Sequence, residues 1–113
     1  MSVADSDMTT IDETTDLTTL INVFTVAPER QDELVELLAD ATDETMRHLP
    51  GFVSANLHRS RDGERVVNYA QWESEADYEA IFERPDVREH MDGALELATA
   101  DYHLYDVAFV DER

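Results

Sequence analysis

The sequence predicts an α+β fold, a ferredoxin-like βαββαβ sandwich, from three observations. Runs of alternating residues flank two stretches of helical period. An Asp62-Gly63 step joins the second and third alternating runs and is a strong two-residue hairpin signal. Pro28, Leu49-Pro50-Gly51 and Pro85 mark helix starts and stops. Strands and helices in that order make one antiparallel sheet with helices on one face.

The elements follow in chain order. Leu17 to Val26 is rich in β-formers and carries Asn22 inside it. Pro28 suits a first helical turn, and Glu29 to His48 carries Leu34, Leu38, Ala41 and Thr45 at helical spacing, flanked by Val35 and Leu37. Leu49-Pro50-Gly51 stops that helix. Phe52 to Ser60 alternates as a second strand, and Arg65 to Glu73 as a third. Ser74 then caps a short helix to Glu83, with Asp77 placed for a loose capping box and Tyr78, Ile81 and Phe82 on one side. A further helix from Pro85 aligns Val87, Met91, Ala94 and Ala98, and Ala100 to Val110 reads as the last strand. Residues 1–16, rich in Asp, Thr and Ser, read as a flexible acidic tail ahead of a domain spanning 17–113.

A simple two-residue turn would pair Leu57 with Asn68, Ala55 with Ala70 and Val53 with Trp72. That face is small and apolar around Asn68 and Trp72, which suits a pocket beneath helices. The opposite face carries Phe52, Ser54, Asn56, His58, Val67, Tyr69 and Gln71, a mixed set that a second copy could cover. The aromatics Tyr102, Tyr105 and Phe109 are expected in the core or in such an interface.

Composition narrows the function. The formal net charge is −19, with 27 acids against 8 bases, and every base is Arg. Nucleic acid and anionic membrane are poor partners for such a surface, since both need a basic patch. The acids are spread rather than blocked, which resembles the proteins of salt-loving microbes. No run of apolar residues is long enough for a membrane helix. The first residues lack the basic start and apolar stretch of an export signal, so a cytoplasmic location is expected. The chain has no Cys, which excludes disulfides and thiol chemistry. His48, His58, His90 and His103 show neither i,i+4 spacing nor a His-Glu-x-x-His motif, so no metal site is expected. With only Gly51, Gly63 and Gly93 there is no glycine-rich phosphate loop.

Val66-Val67-Asn68-Tyr69-Ala70-Gln71-Trp72-Glu73-Ser74-Glu75, with Pro50-Gly51-Phe52, Ser54-Ala55, His58, Asp62-Gly63 and Tyr78 around it, resembles the antibiotic biosynthesis monooxygenase family. The likeness spans about residues 18–110 and leans toward cofactor-free enzymes that oxidise aromatic polyketides to quinones. It implies a dimeric α+β barrel, a homodimer formed through the sheet face. It also implies a small phenolic or hydroquinone-like substrate oxidised by O2 without flavin, haem or metal. By the same resemblance Asn68, Trp72 and Tyr78 are catalytic, while Asn22, Arg88 and His90 are weaker substrate-binding candidates. Arg88 and His90 lie near, but out of register with, a pocket Arg of the family.

Two other functions fit parts of the same pattern. One is a non-catalytic dimer that keeps the pocket for small-ligand binding or a stress response. The other is haem degradation, which in the same superfamily uses an Asn on the first strand, a Trp on the second helix and an axial His. Asn22 fits the first, Ile81 and Phe82 stand where the Trp would fall, and His90 is slightly out of step.

The charge itself generates a prediction. Self-repulsion among the acids is screened by salt, so the melting temperature should rise steadily from dilute buffer to molar KCl. A melting temperature independent of salt would remove the halophilic reading.

Overall fold

The computed structural model describes residues 8–113, so the beginning of the expected tail, residues 1–7, lies outside the described residues. Four strands, β1 (Thr18–Val26), β2 (Phe52–Arg59), β3 (Arg65–Trp72) and β4 (Ala98–Tyr105), form one antiparallel sheet in the order β2-β3-β1-β4. Three helices, α1 (Gln31–Glu44), α2 (Glu75–Ala80) and α3 (Pro85–Leu97), cover one face. The ferredoxin-like sandwich is therefore present. Among the described residues, no helix is long and apolar enough to cross a membrane.

Several boundaries differ from the sequence expectation. The first helical stretch divides into a 3-10 turn at Pro28–Arg30, α1, and a second 3-10 turn at Met46–His48. The last strand runs Ala98–Tyr105 rather than from Ala100 to Val110. Among the described residues it pairs only with β1, whose ladder to it closes at Thr19↔Tyr105, so residues beyond have no partner strand there. Of the aromatics expected in the core or an interface, Tyr102, Tyr105 and Phe109 are 46%, 45% and 76% exposed, so none is core.

The hairpin is corrected in two places. Its loop is four residues, Arg61 to Glu64, closed by Ser60 N–H donating to the Arg65 carbonyl at 3.0 Å. Gly63 takes φ +83°, and the Asp62 carboxylate accepts from Ser60 Oγ and Glu64 N–H, which holds it below the usual carboxylate range. A four-residue loop centred on the same pair leaves the register unchanged, so Leu57 faces Asn68 and Ala55 faces Ala70 as expected. At the far end a bulge at Val53 breaks it: Phe52, not Val53, stands opposite Trp72. The extra residue turns the Phe52 ring inward, edge-on to Trp72 at 5.5 Å, and leaves Val53 41% exposed. Burying the larger aromatic is the favoured outcome.

The core is in two parts. One cluster gathers Leu20, Ala70, Trp72, Tyr78, Ile81 and Val87; the other gathers Phe24, Val26, Leu34, Val66 and Ala94. Gln31 ties the first turn of α1 to the hairpin, its Nε2 donating to the Ser60 and Arg65 carbonyls at 3.0 and 2.9 Å. The opposite sheet face is partly crossed by the segment before β1. There Thr9 Oγ1 donates to Asn56 Oδ1 and Gln71 Nε2 donates to the Thr10 carbonyl, both at 2.7 Å. These bonds bury Gln71 although it faces away from the helices.

The turn into α2 sets the position of the later site. Ser74 caps the helix by accepting from Asp77 N–H at 3.1 Å, and donates to Asp77 Oδ2 at 3.0 Å. Gly51 lies against that cap with φ +84°, and its carbonyl accepts from Glu73 N–H at 2.7 Å. A Cβ on residue 51 would collide with the Asp77 side chain. Gly51→Ala therefore combines left-handed strain, about 1–2 kcal/mol, with a steric clash. Chemical denaturation should show a loss of about 2 kcal/mol or more; a loss under about 0.5 kcal/mol would refute this role for Gly51.

Candidate active site

The central strands place Asn22 directly opposite Asn68. β4 adds Tyr102 beside Asn22, and β2 adds Leu57 beside Asn68, completing one row across the sheet. The rows on either side are apolar apart from the exposed Arg59 at the β2 edge: Ala55, Ala70, Leu20 and Leu104 on one, Val66, Phe24 and Ala100, with Arg59 beside Val66, on the other. Each feeds one of the two core clusters, so the amide row marks the gap between them. Helix residues including Leu38, Ala41, Tyr78 and Met91 close that gap into a cavity of about 250 Å³.

Helical phase decides which residues of α3 enter. Val87, His90, Met91 and Ala94 fall at i, i+3, i+4 and i+7 and share the inward stripe. Val87 and Ala94 are buried, and His90 and Met91 line the cavity. Arg88 is one step around the helix. Its Nε and Nη2 donate to the Phe82 and Glu83 carbonyls at 2.9 and 3.2 Å, outside the cavity. It satisfies the end of the 3-10 turn Ile81–Glu83 rather than meeting a ligand.

The cavity wall is mostly apolar, with its polar groups converging from several elements. Among the described residues, three buried side-chain atoms lack a hydrogen-bond partner: Asn22 Oδ1, Asn68 Oδ1 and Trp72 Nε1. Such atoms cost about 1–3 kcal/mol each when left unmet, and native proteins keep few of them. Both amides belong to the cavity floor and are suited to a ligand carrying hydroxyl groups. Burial, with Tyr102 nearby, raises the Tyr78 phenol well above its ordinary value. Tyr78 is thus a neutral hydroxyl, a donor and not a base.

Trp72 does not line the cavity. It sits behind Tyr78, ring centroids 6.0 Å apart, and is 3% exposed. The structure therefore brings Asn22, Asn68, Tyr78 and His90 together, holds Trp72 in the adjoining layer and turns Arg88 away. Sequence reasoning missed two residues as parts of the site. Tyr102 enters through its pairing with Asn22, a contact across most of the chain that no local pattern encodes. Thr45, seen only as part of a helical stripe, is buried with Oγ1 3.1 Å from His90 Nε2. Among the described residues no group of three or more His, Asp or Glu is placed to hold a metal ion.

Comparison with known proteins gives the site a context. The antibiotic biosynthesis monooxygenase family matches residues 18–93. Tetracenomycin-F1 monooxygenase of Streptomyces glaucescens is 56% identical over 85 residues, 75% of this chain and 76% of that protein. Among solved structures, a mutant of SnoaB, a cofactor-independent oxygenase from Streptomyces nogalater, superposes with TM-score 0.73 at 28% identity, covering 84% of this chain and 96% of that one. A monooxygenase of Streptomyces coelicolor in complex with nanaomycin D superposes with TM-score 0.70 at 35% identity, covering 84% and 92%.

The unmet amides imply a conflict between stability and binding. Asn22→Leu removes a buried unpartnered acceptor and adds apolar volume beside a cavity. It should stabilise the ligand-free protein by about 1 kcal/mol while weakening binding of hydroxylated aromatics at least tenfold. Thermal melts and ligand titration check the two halves separately; a destabilised variant would mean the amide has a structural partner.

Proposed function

The chain belongs to the antibiotic biosynthesis monooxygenase family and is a monooxygenase; from that premise we propose that it oxidises a phenolic or hydroquinone-like aromatic to a quinone with O2 alone. The observation that carries the reading is the facing pair Asn22 and Asn68, with unmet amide oxygens on the floor of a small, largely apolar cavity. A flat aromatic with ring hydroxyls supplies both the apolar area and the donors that this cavity lacks.

The chemistry follows from the residues. An ionised phenolic ring is electron-rich enough to give an electron to O2, and the resulting pair joins as a C–O bond. The peroxide then collapses to a carbonyl with loss of water. Taken together, one phenol and one O2 give one quinone and one water, so no outside reductant is consumed. The wall's task is to stabilise oxygen anions as they form and to keep water out. The Asn22 and Asn68 side chains each carry an NH2 donor as well as an acceptor, so they can serve the neutral and the ionised ring. Tyr78 can donate to a developing peroxide. Trp72, one layer back, would fix the Tyr78 ring and offers its N–H only if the wall shifts on binding.

In the same reading two copies pair through the sheet face opposite the helices. Ile21, Val23, Val67 and Tyr69 are only half-buried there, and Tyr105 lies on that side of β4. Residues 9 and 10 already lie against part of that face, so they would be included in the interface.

The test is O2 consumption with hydroquinones and anthrones in strong salt, with metals chelated and no flavin added, on material sized by sedimentation. Uptake above the uncatalysed rate is expected from a species of twice the chain mass. Asn68→Ala should lower kcat by about 100-fold, the scale of one lost oxyanion donor, and Trp72→Phe by less. Binding without uptake across the panel would overturn the oxidase reading.

A further inference from the structure

Quinone formation, the reading on which this inference rests, needs a proton acceptor twice. The substrate O–H must ionise before its ring can pass an electron to O2. Later the C–H at the peroxide-bearing carbon must be lost as the O–O bond breaks. In a mostly apolar cavity a side chain of the wall has to take these protons.

The polar members of the wall are Asn22, Asn68, Tyr78, His90 and Tyr102. Amides hydrogen-bond but do not titrate. Tyr78 is held neutral by burial. Tyr102 is a second phenol at the rim, 46% exposed. Among the described residues, no carboxylate and no guanidinium lines the cavity. That leaves the imidazole of His90, the side chain type that most often serves as a two-way proton carrier.

Its setting fits the task. Thr45, at the end of α1, is 9% exposed and holds its Oγ1 3.1 Å from His90 Nε2. A ring nitrogen tied in this way fixes the tautomer of the other. The titratable groups that share the cavity with His90 are Tyr78 from α2 and Tyr102 from β4. The α1 side brings Thr45 and Met46 without charge, while Asp43, Glu44 and Glu89 are exposed to solvent. The neighbouring Arg88 is engaged with backbone carbonyls.

We propose that His90 is the catalytic proton acceptor and donor of this cavity, and that Thr45 positions it. Nε2–H donates to Thr45 Oγ1, and Nδ1 carries the exchangeable lone pair. Nδ1 takes the substrate O–H proton, giving imidazolium and phenolate. One electron passes to O2 and the pair recombines as a C–O bond, with the charge on the distal peroxide oxygen. The imidazolium protonates that oxygen and is neutral again. It then takes the C–H proton while the new C=O forms and hydroxide departs. Hydroxide receives that proton as water, and the imidazole is restored.

The test uses the full chain in strong salt, with anthrone as the probe. Mixed under argon, the wild type should show the absorption band of the anthrone anion. His90→Gln should bind anthrone without that band, and Thr45→Val should show a weaker one. In air, His90→Gln should lower kcat by about 100-fold or more, the usual weight of general acid–base catalysis, with KM little changed. The acidic limb of the wild-type pH profile should vanish in His90→Gln and move in Thr45→Val, which a purely structural loss would not produce. Circular dichroism identifies a variant that has not folded, in which case Thr45→Val alone decides. An anion band and acidic limb that persist in folded His90→Gln would overturn the proposal and leave the oxidase reading standing. An anion band in the wild type with no O2 uptake would support the proton acceptor and overturn the oxidase reading. Neither band nor uptake in the wild type would overturn both.

Discussion

Asn22 faces Asn68 at the centre of the sheet, and most of the molecule's organisation follows from that cross-strand pair. Two amides on the helix-covered face, their Oδ1 atoms buried and unmet, put a polar strip in the core that Leu and Val gain nothing by packing on. The apolar side chains therefore gather on either side, in one cluster around Trp72 and Tyr78 and another around Phe24 and Leu34. The cavity is the seam between them. A sheet this small has few rows to spare, so a central row that lines a cavity is a substantial sacrifice of core. The remaining contacts compensate: the Ser74 cap, the Gln31 bridge to the hairpin and the close approach of Gly51 to Asp77 each lock an element whose packing the cavity would otherwise loosen.

A continuous set of aromatic contacts shapes one wall. Phe52 meets Trp72 at 5.5 Å, Trp72 meets Tyr78 at 6.0 Å, Tyr78 meets Phe82 at 5.2 Å, and Phe82 stacks on Tyr102 at 6.5 Å. The line runs from beneath the sheet's end to the exposed rim. Edge-to-face pairs add about 0.5–1.5 kcal/mol each beyond buried area. They hold α2 and the turn after it at a fixed distance from β3, which gives Tyr78 a defined place in the wall. Trp72 is thus structural through its ring whatever its N–H does.

Much of this was legible in the sequence, and the reasons differ by residue. Alternation from Val66 to Trp72 followed by Ser74 marked the strand, the helix start and the places of Asn68 and Tyr78, because all of these are set within a few residues. The hairpin register was legible as well, since a longer loop about the same centre pairs the same residues. The bulge at Val53 was not, because it is decided by Phe52 finding Trp72 across the sheet. Trp72 could be placed on the inward face but not in depth, since the sequence does not say that Tyr78 would stand in front of it. Tyr102 depended on a β1–β4 pairing reached through an intervening helix, and the end of β4 depended on where β1 stops.

His90 and Arg88 show how narrow the difference can be. Both lie near the place where the resemblance puts a basic group, and residue type alone favours Arg88 as a binder of oxygen anions. The phase set by Val87 and Ala94 turns His90 inward and Arg88 along the helix surface, where two backbone carbonyls at the end of a 3-10 turn take its guanidinium. The exchange alters the chemistry available to the cavity. An arginine would hold a permanent positive charge and could stabilise a phenolate but not accept its proton. An imidazole beside a buried threonine hydroxyl can cycle between charge states, and among the described residues of a wall otherwise built from amides, phenols and hydrocarbon it is the one group with that property.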